Sequence, residues 1–128
     1  MTSVLVPLVS GSAVVASEAG GAEGLAELIR EPGGFGLVKA VPAHLSLLVE
    51  MLDDAQVASS ARTWVVGGEA LQGGVVRDWL SRAPESVIVN EYGPTETVVG
   101  CCVFEILAGQ EVGESVPIGR PIANTRLY

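Results

Sequence analysis

Short apolar runs alternate with amphipathic stretches of about ten residues, and this alternation narrows the fold more than any other feature of the sequence. The runs are Ser12–Ala16, Gly36–Val41, Thr63–Val66 and Ser86–Asn90. Between them, Leu25, Leu28 and Ile29 recur at helical spacing opposite Glu23, Glu27 and Arg30. Leu45, Leu48, Val49 and Leu52 form a second stripe, opened by Pro42 and closed by Asp53-Asp54. Val75, Val76, Trp79 and Leu80 form a third, stopped by Pro84. Strands separated by single helices imply parallel pairing with crossovers. The expectation is an α/β fold: a three-layer, mostly parallel sheet with helices on both faces. Val4–Val9 reads as the tail of a helix ended by Gly11. Cys101–Leu107 and Ala123–Tyr128 read as two further strands, joined by a surface loop over 108–115.

The 128 residues make one domain at most, spanning 1–128. Hydrophobic residues reach 48% and charged ones only 17%, against about 25% charged in an ordinary domain. That excess implies faces covered by further protein, or self-association through exposed apolar faces. No apolar stretch reaches the roughly 18 residues of a membrane helix, and Met1-Thr2-Ser3 carries no basic leader. A net charge of −8 argues against a nucleic-acid partner, which needs a basic patch. The two cysteines, Cys101 and Cys102, are adjacent. They point to opposite faces of a strand and suit two small core residues in a reducing cytoplasm rather than a metal or disulfide site.

Lys39 is the only lysine, set in the otherwise apolar run Gly36–Val41. A lysine in a buried strand needs an acidic partner, a ligand or an exit to solvent. Glu91 makes the opposite demand directly after the run Val87-Ile88-Val89. A cation and an anion at neighbouring strand ends suggest a pocket that reads a dipolar group, and ligands of open α/β sheets bind beyond the carboxyl ends of strands. Val65 and Gly67 share one face. Gly67 leaves room there, or simply ends the strand. The polar stretch Asn90–Thr97, turning at Gly93-Pro94, is a second candidate, with a solvated turn as its plain alternative. His44, the only histidine, begins a helix and suits a structural role.

Asn90-Glu91-Tyr92-Gly93-Pro94-Thr95-Glu96 resembles the Asn-x-Tyr-Gly-Pro-Thr-Glu motif of nonribosomal peptide synthetase adenylation domains, within the adenylate-forming superfamily. Gly67-Gly68-Glu69-Ala70-Leu71 and Val116-Pro117-Ile118-Gly119-Arg120-Pro121 resemble the same family in the same order, so the likeness covers essentially the whole chain. It implies a flavodoxin-like subdomain of a ligase that uses ATP and Mg2+ to make aminoacyl-AMP and pyrophosphate. The aminoacyl group then passes to the phosphopantetheine thiol of a carrier protein. Matched by position, the side-chain-reading residues fall on Thr2, Lys39, Val65, Gly67, Glu91, Val99 and Gly100. This set is similar to that of asparagine-activating domains. The carbonyls of Gly93 and Val99 would receive the substrate ammonium. Asn90 would bond the adenine amino group, Tyr92 stack on the ring, and the backbone of Gly68, Glu69 and Ala70 wall its other side. Thr95 would touch phosphate, and Glu96 would hold Mg2+.

An amide suits such a pocket, because Lys39 can donate to its carbonyl and Glu91 accept from its NH2. Aspartate is the alternative substrate. Its carboxylate facing Glu91 at about 4 Å costs on the order of 4 kcal/mol at an effective dielectric near 20, and aspartate-activating relatives resemble this pattern with histidine in place of Glu91. Glutamine is one methylene longer. A fatty tail, as in an acyl-CoA ligase, would leave both charges unpaired. The other alternative is a non-enzymatic, stand-alone flavodoxin-like binding module. The family's phosphate loop, its ammonium-gripping aspartate, its ribose aspartate and its C-terminal lysine have no match in the chain. The expectation is therefore an excised specificity subdomain, inactive and without bound cofactor on its own, whose partners are the rest of the adenylation domain and the carrier protein.

Overall fold

The computed structural model describes residues 2–94 and 100–127. Its elements follow the order α1 (Thr2–Val9), α2 (Gly21–Arg30), β1 (Phe35–Ala40), α3 (Pro42–Met51), α4 (Asp54–Ser60), β2 (Ala61–Gly67), α5 (Gly73–Arg82), β3 (Val87–Tyr92), β4 (Cys102–Ile106) and β5 (Arg120–Pro121). The strands lie side by side in sequence order, β1-β2-β3-β4-β5. β1, β2 and β3 are mutually parallel, and β4 and β5 each pair antiparallel with the strand before. The mostly parallel α/β sheet expected from the alternation is present. Its sequential order differs from the 2-1-3-4-5 order of flavodoxin-like sheets.

The four helices that pack into the core, α2 to α5, share one face of the sheet, and α1 contributes Val4, Val6 and Pro7 to a cavity lined also by Leu37 and Lys39, which face the other way. The crossovers β1-α3-α4-β2 and β2-α5-β3 both step the same way across the sheet. Right-handed connections then place their helices on the same side. That side buries Val38, Ala40, Trp64, Val66 and Ile88 against Ala26, Leu45, Leu48, Val57, Val76 and Trp79. Trp64 and Trp79 meet edge to face, ring centroids 4.6 Å apart. The opposite side carries Leu37, Lys39, Val65, Gly67, Val89 and Glu91, by alternation along the paired strands.

Local departures from the expected elements have local causes. Ser12–Ala16 is not a strand: it pairs with nothing, and Val14 and Val15 are exposed. It lies instead across a cavity of about 660 Å3 from the free edge of β1, lined by Pro7, Val14, Leu28, Phe35, Leu37 and Lys39. Asp53 does not merely close α3. It caps a new helix, accepting from the Gln56 N–H at 2.8 Å while the Gln56 side chain accepts from the Asp53 N–H at 3.0 Å, a reciprocal capping box. The strand expected from Ala123 is absent among the described residues. Asn124 adopts φ 62°, the left-handed region that turns a chain, and pairing is confined to Arg120 and Pro121. α1 leaves Val4, Leu5, Val6, Leu8 and Val9 exposed, in keeping with the apolar excess of the sequence.

Arg82 fastens the helical layer. Its guanidinium donates to the carbonyls of Val49 (2.7 Å) and Leu52 (2.6 Å) at the end of α3, and to Asp54 Oδ1 (2.6 Å) in the first turn of α4. Asp54 is largely exposed and Arg82 is not, so the carbonyl bonds outweigh the ion pair. Arg82→Met should therefore cost about 2 kcal/mol of stability in urea unfolding. Asp54→Ala should cost less than about 1 kcal/mol.

Candidate functional site

The carboxyl ends of β1, β2 and β3 converge on one edge of the sheet, where antiparallel β4 contributes its first residue. In register, Lys39 sits opposite Val65, and Gly67 opposite Glu91. Lys39 and Glu91 are thus on the two strands that flank β2, offset by two residues along it and facing the same way. The lysine stem crosses β2 between Val65 and Gly67, and Nζ donates to Glu91 Oε2. The two side chains are only 23% and 14% exposed. Burial at this level makes the pairing matter, since neither charge has full hydration to fall back on.

Both glycines of the cluster serve Glu91. A Cβ on Gly67 would lie 2.5 Å from the Glu91 carbonyl oxygen, so β2 and β3 could not approach as they do. A Cβ on Gly100 would fall on the Glu91 carboxylate, 2.5 Å from Cγ. The volume beside Gly100 is therefore filled by Glu91 itself. Val65 is buried on the same face, under the ion pair. Gly100 is held near by its neighbour, whose N–H reaches the Tyr92 carbonyl at 2.7 Å.

β3 extends two residues further than the sequence implies, through Tyr92. Asn90, Glu91 and Tyr92 consequently alternate, with Asn90 and Tyr92 on the helix-bearing side. Asn90 is 5% exposed, flanked in register by Val66 and Phe104. Its Nδ2 donates to the Pro117 carbonyl at 2.8 Å. Tyr92 is half exposed. Gly68, in the left-handed region at φ 93°, turns the chain off β2 into the exposed segment Gly68-Glu69-Ala70.

The loop after β4 is fastened to this edge by contacts that have no signature in local sequence. Val116 N–H donates to the Leu71 carbonyl at 2.9 Å, and Gly73 N–H to that of Glu114 at 2.8 Å. Arg77 Nη1 reaches the Val112 carbonyl at 2.9 Å. Gly119 lies so close to β4 that a Cβ would fall on the Val103 carbonyl. Each contact joins residues remote in sequence, the hydrogen-bonded ones 35 or more positions apart, or depends on a missing side chain, which no periodicity reports.

Lys39, Val65, Gly67, Glu91 and Gly100 are thus gathered at one point, with Gly93 just beyond β3. Thr2 belongs to the first turn of α1. Thr95, Glu96 and Val99 lie outside the described residues. Among the described residues, no three His, Cys, Asp or Glu side chains are grouped so as to hold a metal ion, and no helix is long and apolar enough to cross a membrane. Cys101 and Cys102 are buried free thiols. Desolvation, reinforced by Cys101, pushes the Cys102 thiol up and keeps it protonated. His44 lies in the first turn of α3, and its Nδ1 is buried without a hydrogen-bond partner among the described residues.

The family described as AMP-binding enzyme matches residues 1–128. Bacitracin synthase 3 of Bacillus licheniformis is 42% identical over 132 residues, which cover 100% of this chain and 2% of that protein. Tyrocidine synthase 3 of Brevibacillus parabrevis is 39% identical over 130 residues, again covering 100% of this chain and 2% of that one. The chain thus spans about one-fiftieth of these curated relatives. Among solved structures, PA1221, an NRPS protein containing adenylation and PCP domains, superposes with a TM-score of 0.74. It is 30% identical, with 91% of this chain and 23% of that one covered. The nonribosomal peptide synthetase FmoA3, bound to α-methyl-L-serine-AMP, gives a TM-score of 0.78 at 32% identity, covering 96% and 14%.

If Lys39 and Glu91 depend on each other as the geometry indicates, their substitutions will not be additive. A double-mutant cycle of Lys39→Met and Glu91→Gln, read by urea unfolding, should return a coupling of about 1–3 kcal/mol.

Proposed function

The chain belongs to the AMP-binding enzyme family, and from that membership we propose that it is the amino-acid-reading part of a nonribosomal peptide synthetase adenylation domain. In this reading the substrate carboxylate oxygen bonds to the α-phosphorus of ATP, pyrophosphate leaves, and aminoacyl-AMP forms. The aminoacyl group then passes to a carrier-protein thiol. The likeness to bacitracin and tyrocidine synthases, and to a protein that joins adenylation and PCP domains, supports the reaction class and the carrier partner.

The substrate we propose is asparagine, and one observation carries the choice: Lys39 donates to Glu91 across β2, with both largely buried. A ligand entering there has to replace what each charge loses. A carboxamide does so from a single planar group, its oxygen accepting from Nζ and its NH2 donating to the carboxylate. An apolar side chain would leave both charges unpaired. Aspartate would satisfy Lys39 and oppose Glu91, at a cost on the order of 4 kcal/mol. Val65 floors the pocket and Gly100 fixes where the Glu91 carboxylate can sit. Thr2 and Val99, matched by position, complete this set, with the Gly93 and Val99 carbonyls toward the substrate ammonium.

The nucleotide half lies along the same edge. Tyr92 offers a half-exposed ring, the exposed backbone of residues 68–70 an opposing wall, and Asn90 an amide oxygen. These suit an adenine in chemistry and placement. Thr95 toward phosphate and Glu96 toward Mg2+ rest on position in the motif alone.

The complete adenylation domain containing this chain should exchange pyrophosphate with asparagine about a thousandfold more efficiently than with aspartate. Faster exchange with aspartate would overturn the assignment. Gly100→Ala, by displacing the Glu91 carboxylate, should lower kcat/KM for asparagine at least about tenfold and leave the KM for ATP within about twofold of its original value.

A further inference from the structure

The Asn90 carboxamide is held by a loop remote in sequence, and this has a consequence for which base the site accepts. A carboxamide is nearly symmetric: turned one way it accepts a hydrogen bond, turned the other it donates. An unrestrained asparagine can therefore meet a 6-amino purine with its oxygen or a 6-oxo purine with its NH2. Asn90 lacks that freedom. Its Nδ2 donates to the Pro117 carbonyl at 2.8 Å, and the side chain is 5% exposed between Val66 and Phe104. Turning the amide over would set its oxygen against the Pro117 carbonyl, acceptor against acceptor, in a site with little water to relieve it.

The Pro117 carbonyl is itself firmly placed. Val116 N–H binds the Leu71 carbonyl at 2.9 Å, one residue past Gly68-Glu69-Ala70. Gly119 packs directly on the Val103 carbonyl of β4. Two consecutive residues of one loop therefore reach both sides of the proposed adenine slot, Val116 on one and Pro117 on the other. We propose that the Pro117 carbonyl is a specificity-determining positioning group: by accepting from one of the two Asn90 Nδ2 hydrogens it fixes which way round the amide sits, so that the oxygen and not the NH2 stands at the 6-position of the base, and it so selects a 6-amino over a 6-oxo purine. This rests on the reading that Asn90 faces the purine.

The test is calorimetric binding of AMP and IMP to the complete adenylation domain, which needs no knowledge of the amino acid. The wild type should bind AMP on the order of a hundredfold tighter than IMP, because IMP puts an oxygen against an oxygen. Asn90→Ala should weaken AMP and erase most of the preference. If Asn90→Ala leaves AMP affinity unchanged, the underlying reading of Asn90 fails. Gly119→Ala pushes the loop off Val103 while retaining Asn90 and Pro117. It should shrink the AMP/IMP ratio at least about tenfold, chiefly by strengthening IMP. Should Asn90→Ala weaken AMP while Gly119→Ala preserves the wild-type ratio, the pinning proposal is wrong and the reading survives. A gain in IMP affinity is a readout that general loosening of the fold would not give. Where Gly119→Ala fails to fold, the wild-type side-chain NH2 signals of Asn90 in 15N-resolved NMR decide. Exchange with water at least about tenfold slower than for exposed Asn124 supports the bond, and equal exchange overturns it.

Discussion

Three parallel strands laid down in sequence order, each joined to the next by a right-handed crossover, determine most of what this chain can do. The constraint forces α3, α4 and α5 onto one side of the sheet, where they bury Trp64, Val66 and Ile88. It leaves the other side, with Leu37, Lys39, Val65 and Glu91, without a matching layer from the same connections. A charged pair can then sit on a sheet whose reverse is a dry core, because successive side chains of a strand alternate between the two faces. The same geometry brings three strand ends to one edge, so residues far apart in sequence meet there without any loop having to carry them.

Alternation along β3 sorts the chemistry. Glu91 faces Lys39 and Gly67 on the side opposite the core helices. Asn90 and Tyr92, its immediate neighbours, face the other way, toward the Gly68–Leu71 turn and the Val116–Gly119 loop. In the proposed function this divides the amino-acid half of the site from the nucleotide half at adjacent residues, using nothing more than the two-residue period of a strand. A single strand end can thus address two ligands that must be brought into reaction with each other.

The apolar runs that became β1, β2 and β3, and the helical stripes between them, were legible because burial writes a period into sequence. The convergence of Lys39 with Glu91 was legible too, since two charges in apolar strands demand partners. Ser12–Ala16 misled because its composition is that of a strand while strand formation needs pairing, and a cavity separates the segment from the edge of β1. The α4 cap at Asp53 was hidden by the proximity of α3: two acidic residues after a stripe look like an end, and only Gln56 shows the start. The reason for Gly100 could not be read at all. A glycine in sequence announces an absent side chain, and which neighbour fills the gap is a matter of tertiary placement.

That last point reaches beyond this chain. The Glu91 carboxylate occupies the volume that any side chain at position 100 would claim. The two positions therefore form one unit of inheritance: a larger residue at 100 is tolerable only after 91 has shortened or turned away, and a long acid at 91 is tolerable only over glycine. The shape of this point of the sheet changes by paired steps, with the intermediate of one order crowded and that of the other hollow. The hollow route, shortening 91 first, avoids the clash but leaves Lys39 largely buried without its carboxylate.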